Sequence, residues 1–386
     1  MRILYVHSSF VPPPADLKTD RFFLLSDTLE GDVLQPVWFQ NHEEIEAAFG
    51  PGSYPVYRVG RFHYHWCFAW RYKGIRQRLA VFWFYLSKGL ELCRKHHYDC
   101  IVAYSHMTTG LFAGVLKLLT GGKLVIEIAT SPEHNYLIDR PQPTWSDRLM
   151  HLYSDVCLHL SAWLCNRAHL LYPQQLSAYP LLRKTRSSVF HEFVPVSIID
   201  RYQGDKPEPF VFMVGAPWFL KGADLLIQAF QKVAAEFPHV KLKIMGYFPD
   251  RQKLDALVGG SAQIEILKPR PHPDLFEIMG QAMMLVLPSR SEGMGRVLIE
   301  AMAAGVPLLG SDVGGIPYII RDGQSGLIFK RGDASSLENK LREMLRDEPL
   351  RRRMGEEGYR RAHTELNESV YVEQFTRMVK ATVEQN

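Results

Sequence analysis

Apolar and polar positions divide the chain into short β-rich runs separated by helical stripes, most cleanly between residues 208 and 330. The runs are F-V-F-M-V-G (210–215), V-K-L-K-I-M-G (240–246), Q-I-E-I-L (263–267), M-M-L-V-L-P (283–288), V-P-L-L-G (306–310) and G-L-I-F (326–329). Between the first two, Leu225, Leu226, Ala229, Phe230 and Val233 keep an i, i+4 rhythm that predicts a helix with one buried face. Strand and helix alternating at this pitch predict a parallel sheet covered on both sides. The first half repeats the theme. R-I-L-Y-V (2–6), D-V-L-Q-P-V-W-F (32–39), C-I-V-A-Y (100–104) and K-L-V-I-E-I (123–128) read as strands, and Ile75, Leu79, Phe82, Leu86, Leu90 and Cys93 as a helical seam. The fold class is α/β. We expect a first domain over 1–194, a linker rich in proline and charge over 195–209, and a second domain over 210–365. A terminal helix over 366–386 is expected to pack back on the first domain. Ligands of open α/β sheets gather outside the carboxyl ends of the strands, so two such domains facing each other would form a cleft.

Composition narrows the class. The 386 residues are 46% hydrophobic and 22% charged, with a formal net charge of +4. That suits a soluble two-domain protein and leaves too little excess base for a general nucleic-acid binder, so no nucleic-acid partner is expected. Five cysteines at irregular spacings, with no C-x-x-C pair, read as reduced thiols of a cytoplasmic protein. The longest apolar run, Leu79 to Leu86, is too short to span a bilayer. His, Cys and Asp show no metal-ligand spacing, and no metal or bound cofactor is expected.

The candidate chemistry follows strand 283–288, in S-R-S-E-G-M-G-R-V-L-I-E-A-M-A-A-G-V-P. Gly293 and Gly295 bracket a tight turn, and Val297 to Ala304 read as helix. Glu292 and Glu300 lie eight residues apart, a backbone separation of roughly 8 to 12 Å. This suits the two ends of a long polar ligand better than a shared carboxylate pair. Glycines let backbone N–H groups approach an anion, and a helix start adds partial positive charge. A diphosphate there would leave a sugar near Glu292 and a ribose near Glu300.

This segment resembles the signature of family 4 of the retaining glycosyltransferases, E-x7-E within P-S-x-x-E-G-x-G-x-x-x-x-E-A-M-A-x-G-x-P. The resemblance is close over about 210–330 and loose before 200. It implies the GT-B fold, with two Rossmann-like domains facing across a cleft, and a metal-independent transfer from a nucleotide-sugar co-substrate whose base the sequence does not specify. It also implies roles: Glu292 on the transferred sugar, Gly293, Met294 and Gly295 on the distal phosphate, and Glu300 on the ribose. V-G-A-P-W-F-L-K-G-A-D-L-L (214–226) matches a second family element, so Gly215 and Lys221 would meet the diphosphate. Many relatives carry Arg directly after the strand glycine, where this chain has Ala216 and Pro217; Arg296 is the replacement cation we consider. S-D-V-G-G-I-P-Y (311–318) also follows the family pattern, and a plain turn explains its glycines almost as well. Lys268 and Arg270 fall where relatives frame the base.

In that family the first domain binds the acceptor. His7, His106 and Glu127 follow or end its strands, and His134 lies in the loop beyond; these are the acceptor-side candidates for a sugar or lipid-linked hydroxyl. From Ala47 to Leu90 the chain has no Asp or Glu, seven Lys or Arg and thirteen aromatics. Such a stretch suits peripheral docking on an anionic membrane, at its inner face, or binding of a phosphate-bearing lipid; packing accounts for part of it. Two alternatives stay open: an epimerase or phosphorylase on the same fold, and a partner subunit that binds without transferring.

Overall fold

The computed structural model describes the chain apart from residues 9–16, 37–56, 70–73, 130–141, 180–181, 183–184, 200–207, 247, 249–250, 271 and 386. It divides into two units, one of Met1–Ala129, Leu152–Phe190 and Tyr371–Asn386, the other of Thr130–His151 and His191–Val370. Val196–Ile199, inside the expected linker, is helical, and 200–207 lie outside the described residues.

In the first unit β1 (Arg2–Val6) leads through α1 (Arg21–Leu25) to β2 (Glu30–Pro36), then to β3 (Tyr57–Val59) and β4 (Phe62–Cys67). Three crossovers follow: α2 (Ile75–Lys95) to β5 (Cys100–Tyr104), α3 (Thr108–Thr120) to β6 (Lys123–Ile128), and α4 (Trp145–Leu164), of this unit from Leu152 onward, to β7 (Arg167–Leu170). After α5 (Gln174–Ala178), β8 (Arg186–Val189) completes a sheet ordered β3-β4-β2-β1-β5-β6-β7-β8. Every pairing is parallel except β3 with β4.

The sheet refines two expectations. The aromatic run after residue 61 is largely β4, paired with β2, and its Phe62, Tyr64 and Trp66 are buried with Phe68, so these rings serve the core. The seam expected on α2 meets the core only in its second half, through Leu90 and Cys93. Val81, Tyr85 and Leu92 pack on the sheet, while Leu79 and Phe82 are exposed. This helix is apolar on two sides, and periodicity alone does not say which side meets the strands.

The second unit begins with α6 (Val196–Ile199) and β9 (Glu208–Val214), followed by α7 (Ala223–Val233), β10 (Lys241–Met245), α8 (Arg251–Val258) and β11 (Ile264–Leu267). Next come α9 (His272–Gln281), β12 (Ala282–Leu287), α10 (Arg296–Ala303), β13 (Leu308–Ser311), α11 (Ile316–Ile319) and β14 (Gly326–Phe329). Its sheet is wholly parallel, ordered β11-β10-β9-β12-β13-β14, so all six runs read from the sequence are strands. The apolar stripe of α7 is buried throughout, against Val211, Met213 and Ile244 among others. α12 (Ala334–Arg346) and α13 (Glu348–Glu365) follow, and then α14 (Glu368–Val383). From Tyr371 onward the chain belongs to the first unit. There the Tyr371 hydroxyl accepts from Arg21 at 3.2 Å and Thr382 from Arg167 at 3.0 Å.

Candidate functional site

The strand order of the second sheet sets the site. From β9 the chain moves outward to β10 and β11, then returns to β12 on the other side of β9. The carboxyl ends of β9 and β12 therefore flank the switch point, where open α/β sheets leave a crevice. Gly215 follows β9, and Ser289 to Glu292 follow β12 shortly after. The turns from these strands bring Lys221 Nζ to 2.6 Å from Glu292 Oε2, and Ser289 Oγ donates to the same oxygen at 3.1 Å. Residues 71 positions apart thus form one partly buried ion pair.

Glycine at three places makes this geometry possible. Gly215 has φ +145°, and a Cβ there would lie 3.3 Å from Cγ of Lys221, so its bareness leaves room for the lysine stem. Gly222, at φ +74°, passes so close to β12 that a Cβ would sit 2.0 Å from the Pro288 carbonyl oxygen. Gly314, at φ +54°, would place a Cβ 1.8 Å from the Glu292 carbonyl oxygen, and its neighbour Gly315 donates its N–H to Gly293 O at 2.8 Å. The glycines of 311–318 therefore brace the loop that carries Glu292.

Two residues not singled out in the sequence complete the frame. Arg290 bonds Asp224 through both nitrogens, at 2.8 and 2.7 Å, and lies 3.9 Å over the Phe219 ring. Its main-chain N–H also donates to Leu220 O at 2.8 Å. This clamp ties the turn holding Lys221 to the loop holding Glu292. The available signal was an arginine beside Ser289 and an acid in the first turn of the helix after Lys221.

Beyond the loop, α10 starts at Arg296 with Gly295 as its N-cap, and no side-chain oxygen caps it. The first N–H groups of an α-helix have no partner within the helix, so this start presents donors and partial positive charge. Met294 is buried, its Sδ accepting from Glu192 N at 3.1 Å. Glu300 sits one turn into α10, and its carboxyl pKa is raised. Burial is the leading cause and Glu192 adds to it, with Arg296 and His272 pulling the other way. Arg296 is exposed, and its interaction is with Glu300. Lys268 and Arg270 are exposed after β11.

In the first unit the order reverses between β1 and β5. His7 follows β1 and stacks on Tyr104 at the end of β5, with ring centroids 4.6 Å apart. Ser105, next along, has φ +89°, an uncommon and strained conformation for a non-glycine residue. His106 is buried with Nε2 3.1 Å from Ser154 Oγ, and burial lowers its pKa to about 4. Glu127 is a different case. It is buried on β6, where Tyr5 OH donates to one carboxylate oxygen and His169 Nδ1 lies 3.0 Å from the other. Internal partners, not an open surface, occupy it. His134 lies outside the described residues. Among the described residues no group of three or more His, Cys, Asp or Glu is arranged to hold a metal, and no helix is long and apolar enough to cross a membrane.

Residues 197–361 match the family described as glycosyl transferases group 1. Over 292 residues the chain is 24% identical to N-acetyl-alpha-D-glucosaminyl L-malate synthase of Bacillus anthracis, covering 75% of this chain and 76% of that protein. Over 151 residues it is 33% identical to the protein described as uncharacterized glycosyltransferase MJ1178 of Methanocaldococcus jannaschii, 39% of this chain and 42% of that one. The match to MJ1178 thus spans less than half of either protein. Among solved structures it is similar to sucrose-phosphate synthase of Thermosynechococcus elongatus, with TM-score 0.73 and 17% identity over 99% of each chain. HepE of Anabaena, solved with UDP-glucose, superposes with TM-score 0.68 and 15% identity over 99% of this chain and 100% of that one. These likenesses show the fold to be GT-B, as the resemblance implies.

Proposed function

For a chain whose residues 197–361 match the family described as glycosyl transferases group 1, we propose transfer of a sugar from a nucleotide-sugar donor to a hydroxyl acceptor, with retention of anomeric configuration. The observation that carries this reading is the Lys221–Glu292 pair, 2.6 Å apart at the switch point and followed by the uncapped start of α10. In the free protein each charge neutralises the other. On donor binding Lys221 turns to the diphosphate, and Glu292, still held by Ser289, accepts from the sugar hydroxyls. As the glycosidic bond breaks, negative charge grows on the departing nucleoside diphosphate. Lys221 and the main-chain N–H groups from Gly293 to Arg296 are placed to stabilise it without a metal ion. Glu300 takes the ribose, and Arg296 adds a second cation near the phosphates. On the acceptor side we assign His7 and His106, which share a switch point with the strained Ser105.

The test is a thermal-shift screen of UDP-, GDP- and ADP-sugars, then transfer to saccharide and lipid-linked acceptors with the product's anomeric proton followed by NMR. Retention with acceptor-dependent release of nucleoside diphosphate is expected. A rearranged nucleotide sugar formed without acceptor would instead identify an epimerase. Binding with no turnover of any donor would identify a partner subunit.

A further inference from the structure

The first unit carries a helical layer whose outward side is apolar. α2, α3 and α4 lie side by side: Phe82 of α2 meets Phe112 of α3 with ring centroids 4.9 Å apart, and Thr108 at the start of α3 bonds Tyr153 of α4 at 3.0 Å. Each helix turns a second apolar stripe away from the sheet. On α2 it is Leu79, Phe82 and Trp83, and on α3 Val115, Leu118 and Leu119. On α4 it is Leu152, Val156, Leu160 and Trp163. Trp83, Leu118 and Trp163 are 61%, 66% and 79% exposed. At about 100° per residue the four α4 positions fall within an arc of about 80°, so they form a second face and not scattered exposure.

Contiguous apolar surface of this kind marks a docking site. Charge selects the occupant. Arg76 and Arg78 at the start of α2, and Arg94 and Lys95 at its end, are exposed. Arg78 lies near enough to Tyr153 to act on its hydroxyl. The one acid on α2 and α3 is Glu91, bonded to Lys88 at 3.1 Å and Lys95 at 2.7 Å, and α4 adds one exposed acid, Asp155, and one exposed base, Arg148. A second copy of the chain, related by a twofold axis, would set this basic rim against itself. An anionic headgroup layer complements it, and tryptophans on an apolar helix face suit the boundary between headgroups and acyl chains.

We propose that the outward face of α2, α3 and α4 docks on an anionic bilayer, seating Trp83, Leu118, Leu160 and Trp163 among the lipids. The starts of these crossover helices lie at the carboxyl ends of the strands, the end of the sheet where His7 and His106 stand. One further step rests on the glycosyltransferase reading: the acceptor hydroxyl is then presented from a lipid.

Sedimentation with vesicles tests the docking in the absence of donor and acceptor, so its failure and that of the transferase reading are separate results. The full chain should pellet with phosphatidylcholine vesicles containing phosphatidylglycerol, less so with phosphatidylcholine alone, and progressively less as salt is raised. Leu160→Ser with Trp163→Ser, and independently Leu118→Ser with Leu119→Ser, should each lower the bound fraction about tenfold. Their circular dichroism and melting should stay those of the parent, since all four side chains are exposed. A chain left in the supernatant at low salt overturns the proposal, as does equal pelleting of the variants or equal pelleting with phosphatidylcholine alone. Light scattering that finds a dimer, which the variants dissolve, overturns it in favour of a second copy.

Discussion

Replacing Gly314 by alanine perturbs the site without touching a charged group. The added Cβ would stand 1.8 Å from the Glu292 carbonyl oxygen, where carbon and oxygen normally keep about 3.3 Å, so the loop must yield by about 1.5 Å. A displacement near 1 Å of a positioned group costs on the order of a hundredfold in rate, or about 2.7 kcal/mol of transition-state stabilisation. The positive φ of +54° adds conformational strain of about 1 kcal/mol. Gly323 separates the two effects. Its φ is +75°, yet nothing lies within 4 Å of its would-be Cβ, so Gly323→Ala carries the strain alone. Steady-state release of nucleoside diphosphate should show kcat/KM about a hundredfold lower for Gly314→Ala and nearly unchanged for Gly323→Ala. Both should melt a few degrees below the parent, about 2–4 °C per kcal/mol for a unit of this size. Parental activity in a folded Gly314→Ala would refute the claim that this glycine braces Glu292.

Lys221→Ala and Glu292→Gln should each lower kcat by about 10² to 10³, with the fold intact by circular dichroism. Parental rates in either would remove it from the mechanism. Arg290→Lys cannot reproduce both bonds to Asp224. It should reduce kcat about tenfold, with little change in KM, because it loosens the frame of Lys221 and not the donor's own contacts. His106 has a folded pKa of about 4 against an ordinary 6.5, so the unfolded chain binds the extra proton between those values. Stability should therefore fall as pH drops from 6.5 and level off below 4, a contribution of about 3 kcal/mol. Urea unfolding of His106→Gln should show a flatter pH dependence across that window, and an unchanged profile would contradict the assignment.

The second unit was legible because its information is local. Each run of Val, Ile, Leu and Met is a strand, and the Glu292 loop follows its strand directly, so motif and position agree. The Arg290–Asp224 clamp joins residues 66 positions apart, and neither residue type signals a partner at that distance. Gly314 was visible only as a turn glycine, because its neighbour is a carbonyl that the strand order brings to it. In the first unit β4 was hidden by its own aromatics, which read equally as a surface patch, and β7 and β8 are too short to rise above the background. The α2 seam meets the core only at Leu90 and Cys93: with apolar side chains on two faces, period identifies the helix and leaves its orientation open. Glu127 stood at a strand end, as an acceptor residue should. Only its partners Tyr5 and His169, 122 and 42 residues away, reveal an interior role.

The diphosphate site is tested most directly by a crystal structure of the chain with the nucleotide sugar that most raises its melting temperature. The phosphates should lie against the main-chain nitrogens from Gly293 to Arg296, with Lys221 Nζ moved from Glu292 onto a phosphate oxygen and the ribose hydroxyls on Glu300. A diphosphate bound away from the start of α10, with the Lys221–Glu292 pair still closed, would contradict the account.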